Sequence, residues 1–285
     1  MCIDGEGGGC GVDRRSFLKV GAASFAGISA VRAAGAPDPK KQPPTRVLDD
    51  PRVEHGKVTF THNGEPTFDG YLARPKASGA FPGVLVIPGN LIAEEYIPNT
   101  CAALALAGFV GLAPEVVHHM SDNAPDIDKD HNNNDAIENI LVGADYLRIQ
   151  PLVRGGGFGL VGFCYGGWIS LLAAARFREI RAVVAYHPGI GRYENEISEV
   201  RTPVQLHQGT ADESTDPKTA IQIRDTLNAH HVPVELFMYK GANHGFTAYT
   251  REFYRPDYAQ LSWSRTIKFL DQHLKGSDGS ARVRR

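Results

Sequence analysis

This 285-residue chain is constrained most strongly by its segment 159–167, which reads GLVGFCYGG. An apolar run that stops at Gly-x-Cys-x-Gly-Gly predicts a buried strand that turns sharply into a helix. Small residues two positions either side of Cys164 relieve crowding in such a turn and leave the side chain exposed above a sheet. The same motif is also compatible with an inert buried cysteine in a glycine-rich turn. The residues downstream decide between these interpretations.

Short apolar runs alternate with helical patterns along most of the chain, and an Asn63-Gly64 pair between β-prone runs predicts a hairpin before them. The runs predicted as strands are 83–87, 109–113, 158–162, 182–186, 204–207 and 234–239. The stretches predicted as helices are 98–107, 135–149, 165–177, 218–230 and 258–274. This alternation predicts an α/β fold, with a mostly parallel sheet, an N-terminal β-hairpin and helices on both faces.

The first 36 residues have the pattern of a targeting segment. Arg14 and Arg15 precede a weakly apolar run, 20–31, which is too short to span a bilayer. This pattern resembles a twin-arginine export signal, which implies the export machinery as a partner and a periplasmic or secreted protein that is exported folded. A disordered or amphipathic tail is the alternative interpretation.

After this segment we predict a linker over 37–55, one folded domain over 56–275 and a tail over 276–285. We expect no stable membrane span in the mature protein.

Composition excludes some classes of function. Basic and acidic residues nearly balance, with a formal net charge of -2, so no nucleic-acid partner is expected. Cys2 and Cys10 lie in the predicted signal, which leaves Cys101 and Cys164 in the mature chain. Two cysteines make no disulfide framework, and Cys101 lies in an apolar helical stretch where packing explains it.

A nucleophile at a strand end needs a base, and the loops at the carboxyl ends of parallel strands converge on one crevice. His244 lies directly after the last predicted strand, in the sequence GANHGF. Asp212 follows the preceding predicted strand, where an acid would orient the imidazole. Glu213 and Asp216 are alternative acids. We therefore predict Cys164, Asp212 and His244 as the catalytic residues.

The order nucleophile, acid, histidine is that of α/β-hydrolases. Three motifs carry it: GFCYGG at 162–167, HQGTAD at 207–212 and GANHGF at 241–246. Together they resemble the dienelactone hydrolase family, in which cysteine, aspartate and histidine form the triad, and the resemblance covers about 56–274. It implies hydrolysis of a small ester or lactone through an acyl-thioester on Cys164, as in a carboxymethylenebutenolidase, without a cofactor.

The sequence departs from the family in two places. Family members commonly carry a glutamate after the third strand that contacts the resting cysteine, whereas this chain reads PGNL at 88–91. We therefore predict either a direct contact between Cys164 and His244 or a carboxylate reaching back from Glu94 or Glu95.

The family arginine that holds a substrate carboxylate shortly after the histidine is also missing, and Arg251 is the first arginine there. A neutral ester or lactone is thus at least as plausible a substrate as an anionic lactone.

Backbone amides are expected to hold the oxyanion, one from Tyr165 and one from Asn90 or Leu91. The pocket residues we predict are His187, Phe246 and Tyr249, and Trp168 could add a wall or serve the core. A metal site built from three histidines and three aspartates between residues 118 and 131 is disfavoured, because their spacing matches no zinc motif. Its members are His118, His119, His131, Asp126, Asp128 and Asp130.

Other activities fit the same residues. A thioesterase or acyltransferase could use the same triad, and a non-catalytic protein could use the thiol to sense oxidants or the fold to bind a ligand. We expect no metal and no cofactor.

Overall fold

The computed structural model describes residues 46–62, 65–89, 95–115, 126–189 and 194–276. The predicted export signal, the Asn63-Gly64 turn, and Asn90 and Leu91 lie outside the described residues. Within the described ranges, no helix is both long and apolar enough to cross a membrane.

In the part of the chain that the structure describes, eight strands form one sheet in the order β1-β2-β4-β3-β5-β6-β7-β8. The strands are β1 Val53–His62, β2 Glu65–Pro75, β3 Phe81–Ile87, β4 Val110–Pro114, β5 Val153–Phe163, β6 Ile180–Tyr186, β7 Val204–Gly209 and β8 Val234–Tyr239. β1 pairs antiparallel with β2, and β2 pairs antiparallel with β4. All other pairs are parallel. The sheet is therefore mostly parallel, with an antiparallel hairpin at its N-terminal edge.

Helices cover both faces of the sheet. The helices are α1 Tyr96–Leu106, α2 Asp126–Arg148, α3 Tyr165–Arg176, α4 Pro217–Ala229 and α5 Pro256–Leu270, and α5 continues into a π-helical turn, Asp271–Lys275. Apolar residues of α2, α3 and α4 share one core cluster, and those of α1 and α5 share the other. Burial on both faces explains why the central strands are nearly continuous apolar runs.

The predicted fold class is confirmed, and the largest differences in element bounds are at the starts of α2, β5 and β1. Helix α2 begins at Asp126, nine residues before the predicted start at 135. The prediction missed residues 126–134 because they are mostly polar and carry no apolar periodicity. β5 begins at Val153 and not at 158, through a glycine-rich start that lacks a strand pattern. β1 begins at Val53, inside the predicted linker, and the backbone N–H of Val47 donates to Asn99 of α1 at 2.6 Å.

The parallel strands bring several chemistry-bearing residues to one edge of the sheet. β5 ends at Phe163, immediately before Cys164, and β6 ends immediately before His187. Asp212 and His244 follow β7 and β8 within three and five residues. The crevice outside these strand ends is the place where open α/β sheets bind ligands.

Candidate active site

Cys164 occupies a strained turn between β5 and α3. Its φ is 55° and its ψ is -120°, a conformation that L-residues rarely adopt. The turn needs glycine on both sides: a Cβ on Gly162 would lie 2.3 Å from the Gly166 carbonyl oxygen, and one on Gly166 would lie 2.1 Å from the Ile87 carbonyl oxygen. The Cys164 N–H donates to the Tyr186 carbonyl at 2.9 Å. The backbone therefore fixes the thiol at the end of the sheet.

Asp212 and His244 form a hydrogen-bonded pair. The His244 Nδ1–H donates to both carboxylate oxygens, at 3.1 Å to Oδ1 and 3.0 Å to Oδ2. The Asp212 side chain is fully buried, whereas that of His244 is 18% exposed. A buried acceptor on Nδ1 fixes the ring and its tautomer and leaves Nε2 for chemistry.

The Asp212 carboxylate is held from its other side. Backbone N–H groups of Ser214 and Thr215 donate to Oδ1 at 2.9 and 2.8 Å, and the Gln208 side-chain amide donates to Oδ2 at 2.9 Å. Burial would raise the pKa of Asp212, but hydrogen bonds and attraction from His244 and the Thr215 amide outweigh it and lower the pKa. The carboxylate is therefore ionised at neutral pH.

The two alternative acids are engaged elsewhere. Asp216 caps α4 by accepting from the Lys218 N–H at 2.9 Å. Glu213 is exposed, and its own N–H donates to the Asn243 side chain at 3.1 Å. Asn243 Oδ1 also accepts from the His244 N–H at 2.6 Å, which ties the histidine loop to the loop after β7.

His244 also interacts with Cys164. Burial disfavours the imidazolium, but hydrogen bonds and charge attraction from Asp212 and Cys164 raise the pKa of His244 to about 9. Glu95 does not reach back to the thiol, since its Oε1 accepts from Arg46 at 2.7 Å and from Tyr249 at 2.8 Å. Among the described residues, ligand atoms of Cys164 and His244 lie within 4.8 Å of each other, which favours the direct interaction of the two predicted arrangements; Glu94 lies outside the described residues.

His187 is brought against this pair. It follows Tyr186, which pairs in register with Phe163, so His187 lies beside Cys164, just past the end of β6. Its φ is 39°, and its ring centroid lies 4.2 Å from that of His244. The side chain is 1% exposed, and neither ring nitrogen has a hydrogen-bond partner among the described residues. Burial and repulsion from His244 lower the pKa of His187 to about 3, so the ring is neutral.

The other predicted site residues lie at different depths. Tyr165 begins α3 directly after Cys164, where backbone N–H groups point out of the helix end toward the site. Phe246 is fully buried behind the site and packs on Tyr239, with ring centroids 4.8 Å apart. Tyr249 lines a separate cavity of about 290 Å³ between α1 and α5, and Cys164 does not line it. Of the predicted pocket residues, Phe246 therefore packs in the core and Tyr249 lines this other cavity, whereas His187 lies near Cys164.

Sequence reasoning missed the contact that Gln208 makes with Asp212. Gln208 lies within the HQGTAD motif, four residues before Asp212, and this closeness in sequence could have indicated the contact. Trp168 is 3% exposed within the core, which favours packing as its role. Cys101 is completely buried in α1, as expected from the apolar stretch, and burial raises the pKa of its thiol. Of the two described cysteines, Cys101 is therefore a packing residue and Cys164 is the accessible thiol.

Known proteins resemble this chain over nearly all of the described domain. The dienelactone hydrolase family matches residues 68–274. A Bradyrhizobium protein assigned as a 2-oxo-3-(5-oxofuran-2-ylidene)propanoate lactonase is 32% identical over 239 residues, covering 77% of this chain and 94% of that protein. A Yersinia pestis protein assigned as a carboxymethylenebutenolidase is 27% identical, with 78% and 89% covered.

Solved structures show the same fold. A Klebsiella pneumoniae protein assigned as a dienelactone hydrolase has a TM-score of 0.68 and 25% identity, covering 77% of this chain and 99% of that one. The strand order and the strand-turn-helix at Cys164 are those expected of an α/β-hydrolase. This chain is therefore a hydrolase of the α/β-hydrolase fold and belongs to the dienelactone hydrolase family.

Proposed function

We propose that this hydrolase cleaves an ester or lactone through a Cys164-His244-Asp212 triad and an acyl-thioester intermediate. One observation carries the proposal: at the strand ends a partly exposed thiol lies within 4.8 Å of an imidazole whose Nδ1 is hydrogen-bonded to a buried carboxylate. Each member has the environment that its role requires. The thiol is positioned by a strained turn, the imidazole is partly exposed, and the carboxylate is ionised and desolvated.

In the first step the Cys164 thiolate attacks the substrate carbonyl, and a C–S bond forms as the carbonyl oxygen becomes an oxyanion. The raised pKa of His244 supports its entering this step as the imidazolium. The intermediate collapses, the ester C–O bond breaks, and His244 Nε2–H gives its proton to the departing alkoxide oxygen. In a lactone this oxygen stays attached to the acyl group.

In the second step water hydrolyses the thioester. Neutral His244 takes a proton from water as the water oxygen attacks the acyl carbon, and Asp212 stabilises the imidazolium that forms. Breaking the C–S bond returns the thiolate, the imidazolium and a carboxylic acid product. The pair is then in its starting protonation state, so each turnover consumes one water.

Backbone amides stabilise the oxyanion in both steps. The Tyr165 N–H at the start of α3 is one donor, and the second comes from Asn90 or Leu91 after β3. A Cβ on Gly89 would lie 2.9 Å from the Cys164 Cβ, so the β3 loop begins directly against the nucleophile. Losing one such donor typically costs about 3 kcal/mol of transition-state stabilisation.

A lactone substrate is supported by the Bradyrhizobium relative, which is assigned as a lactonase. The arginine that family members use for a substrate carboxylate has no counterpart directly after His244. His187 supplies a neutral polar group at the nucleophile, and we assign it a hydrogen bond to the substrate. A neutral ester or lactone therefore suits this chain at least as well as an anionic lactone.

A panel of esters, thioesters and lactones, each with and without a carboxylate, tests this function. We expect turnover of at least one short-chain ester or lactone, and its loss in Cys164→Ala. Cys101→Ala, at the buried thiol, is the matched control and should retain turnover. Hydrolysis that survives Cys164→Ala would rule out the triad, and acceptance of thioesters alone would favour a thioesterase.

We also propose that residues 1–36 direct folded export through the twin-arginine route. The proposal rests on Arg14, Arg15 and the weakly apolar run that follows. Replacing both arginines with lysine keeps the charge, and we expect the full chain to stay in the cytoplasm. Export of that variant at an unchanged rate would reject the route.

A further inference from the structure

The nucleophile, its base and the buried histidine form a group with metal-ligating chemistry. Among the described side chains, the ligand atoms of Cys164, His187 and His244 all lie within 4.8 Å of one another. We propose that this group is a three-ligand site for a thiophilic divalent cation, represented by Zn²⁺, and that its occupancy switches the hydrolase off. The inhibition rests on the proposed function, but the binding does not.

The donor set suits zinc. A thiolate and two neutral imidazoles are preferred zinc ligands, with Zn–S near 2.3 Å and Zn–N near 2.0–2.1 Å. Tetrahedral angles place such donors about 3.3–3.6 Å apart, so the group needs to contract by roughly 1 Å. His187 has two buried ring nitrogens without a described partner, so binding would satisfy one of them. The fourth position stays open to water or another ligand.

The hydrogen bond that would orient His244 as a metal ligand is already in place. Nδ1 of His244 donates to Asp212, which leaves Nε2 for a metal and reproduces the carboxylate-histidine arrangement of zinc sites. The charges also balance, because one divalent cation offsets the Cys164 thiolate and the Asp212 carboxylate. The half-buried group can therefore hold the ion without leaving a buried charge uncompensated.

Access and inhibition follow from exposure. Cys164 is partly exposed and the His244 side chain is 18% exposed, so a cation can enter from the crevice while His187 lies beneath. A bound cation occupies the Cys164 sulfur and His244 Nε2, the two atoms that the proposed mechanism uses. Metal binding and catalysis are therefore mutually exclusive.

Zinc binding to the full chain, measured without substrate by competition with a chromophoric chelator, tests the site. We expect one ion that also protects Cys164 from alkylation, and an affinity at least about tenfold lower in His187→Phe. His230→Ala removes an exposed histidine at the end of α4, outside the group, and should bind normally. Asp212→Asn should weaken binding about 10–100-fold. Unchanged affinity in His187→Phe, or no binding by the parent chain, overturns the proposal.

X-ray absorption of the zinc-loaded parent chain gives a readout that needs no variant. We expect one sulfur and two imidazole nitrogens around the ion, and a single imidazole would overturn the role of His187. Inhibition by zinc, reversed by chelation, is then measured on the best ester substrate. Zinc binding with this ligand set in a chain that hydrolyses no ester would reject the proposed function and keep the site.

Discussion

His187 and His244 lie in contact, with ring centroids 4.2 Å apart, yet they prefer opposite protonation states. The pKa of His244 is raised to about 9, whereas that of His187 is lowered to about 3. The difference has a local cause. His244 has an ionised carboxylate and the thiol as partners, while His187 is buried beside a ring that becomes positive. One imidazole thus carries the proton for the proposed chemistry, and the other stays neutral.

The pH dependence of the metal-free enzyme should follow His244. Its imidazolium is present below a pKa of about 9, so kcat/KM should fall as pH rises through that value and the leaving group loses its proton donor. Asp212→Asn removes the carboxylate that most stabilises the imidazolium. The alkaline limb of the kcat/KM profile should therefore move to lower pH. We also expect kcat to fall by at least about 100-fold. An unshifted alkaline limb in Asp212→Asn would contradict the assignment.

His187 should make folding sensitive to acid. Its folded-state pKa of about 3 lies below the ordinary histidine value of about 6.5, so the unfolded chain binds a proton between these values and the folded chain does not. Stability should therefore fall as pH falls from 6.5 toward 3, by up to about 1.4 kcal/mol per pH unit.

His187→Phe lacks this titrating group. Its unfolding free energy, taken relative to that of the parent, should therefore increase as pH is lowered. Denaturant unfolding at pH 7, 6 and 5 measures the difference. His230→Phe, at an exposed histidine, is the control and should track the parent. A constant difference across the series would mean that the folded and unfolded chains bind this proton equally, which would contradict the lowered pKa of His187.

Gln208 should position Asp212. Gln208→Met keeps the volume but removes the amide that donates to Asp212 Oδ2, and a hydrogen bond to a charged group is worth about 1.5–3 kcal/mol. We expect a loss of roughly tenfold or more in kcat, with little change in KM and an alkaline limb displaced from that of the parent. Gln260→Met, at an exposed position on α5, is the control. Loss of stability with no change in the pH profile would indicate a purely structural role.

Part of this site could be predicted from sequence because it is encoded locally. The glycines around Cys164, and the turns that carry Asp212 and His244 after apolar strands, specify three neighbouring side chains once the sheet is parallel. The roles of Gln208 and His187 are not local. The role of Gln208 depends on its side-chain amide reaching Asp212 Oδ2, and that of His187 depends on burial, which arises only when the loops pack together.

The same distinction explains the element bounds. Strands β3, β6 and β8 are apolar runs and were predicted within two residues at each end. The start of α2 is polar and gives no hydrophobic period, so tertiary context decides it. Phe246 and Tyr249 are aromatic residues of the kind that line pockets. Phe246 instead packs in the core, and Tyr249 lines the cavity between α1 and α5.

The turn at Cys164 should tolerate no side chain at Gly166. A Cβ there meets the Ile87 carbonyl oxygen at 2.1 Å, and backbone cannot move aside as a flexible side chain can. We expect Gly166→Ala to lower the free energy of unfolding by about 1–3 kcal/mol or more and to displace the thiol. Gly155→Ala, where nothing lies within 4 Å, should be close to neutral. Thermal unfolding and the rate of Cys164 alkylation measure both effects, and equal behaviour of the two variants would contradict the strained turn.

The acyl-thioester on Cys164 is the central claim, and intact-mass spectrometry of rapidly acid-quenched enzyme tests it most directly. During turnover of the best ester or lactone, we predict a mass increase equal to the acyl group, mapped to Cys164 by peptide analysis and absent in Cys164→Ser treated identically. The adduct should decay at a rate no slower than kcat. Turnover with no adduct at any quench time, together with undiminished hydrolysis by Cys164→Ala, would contradict the account.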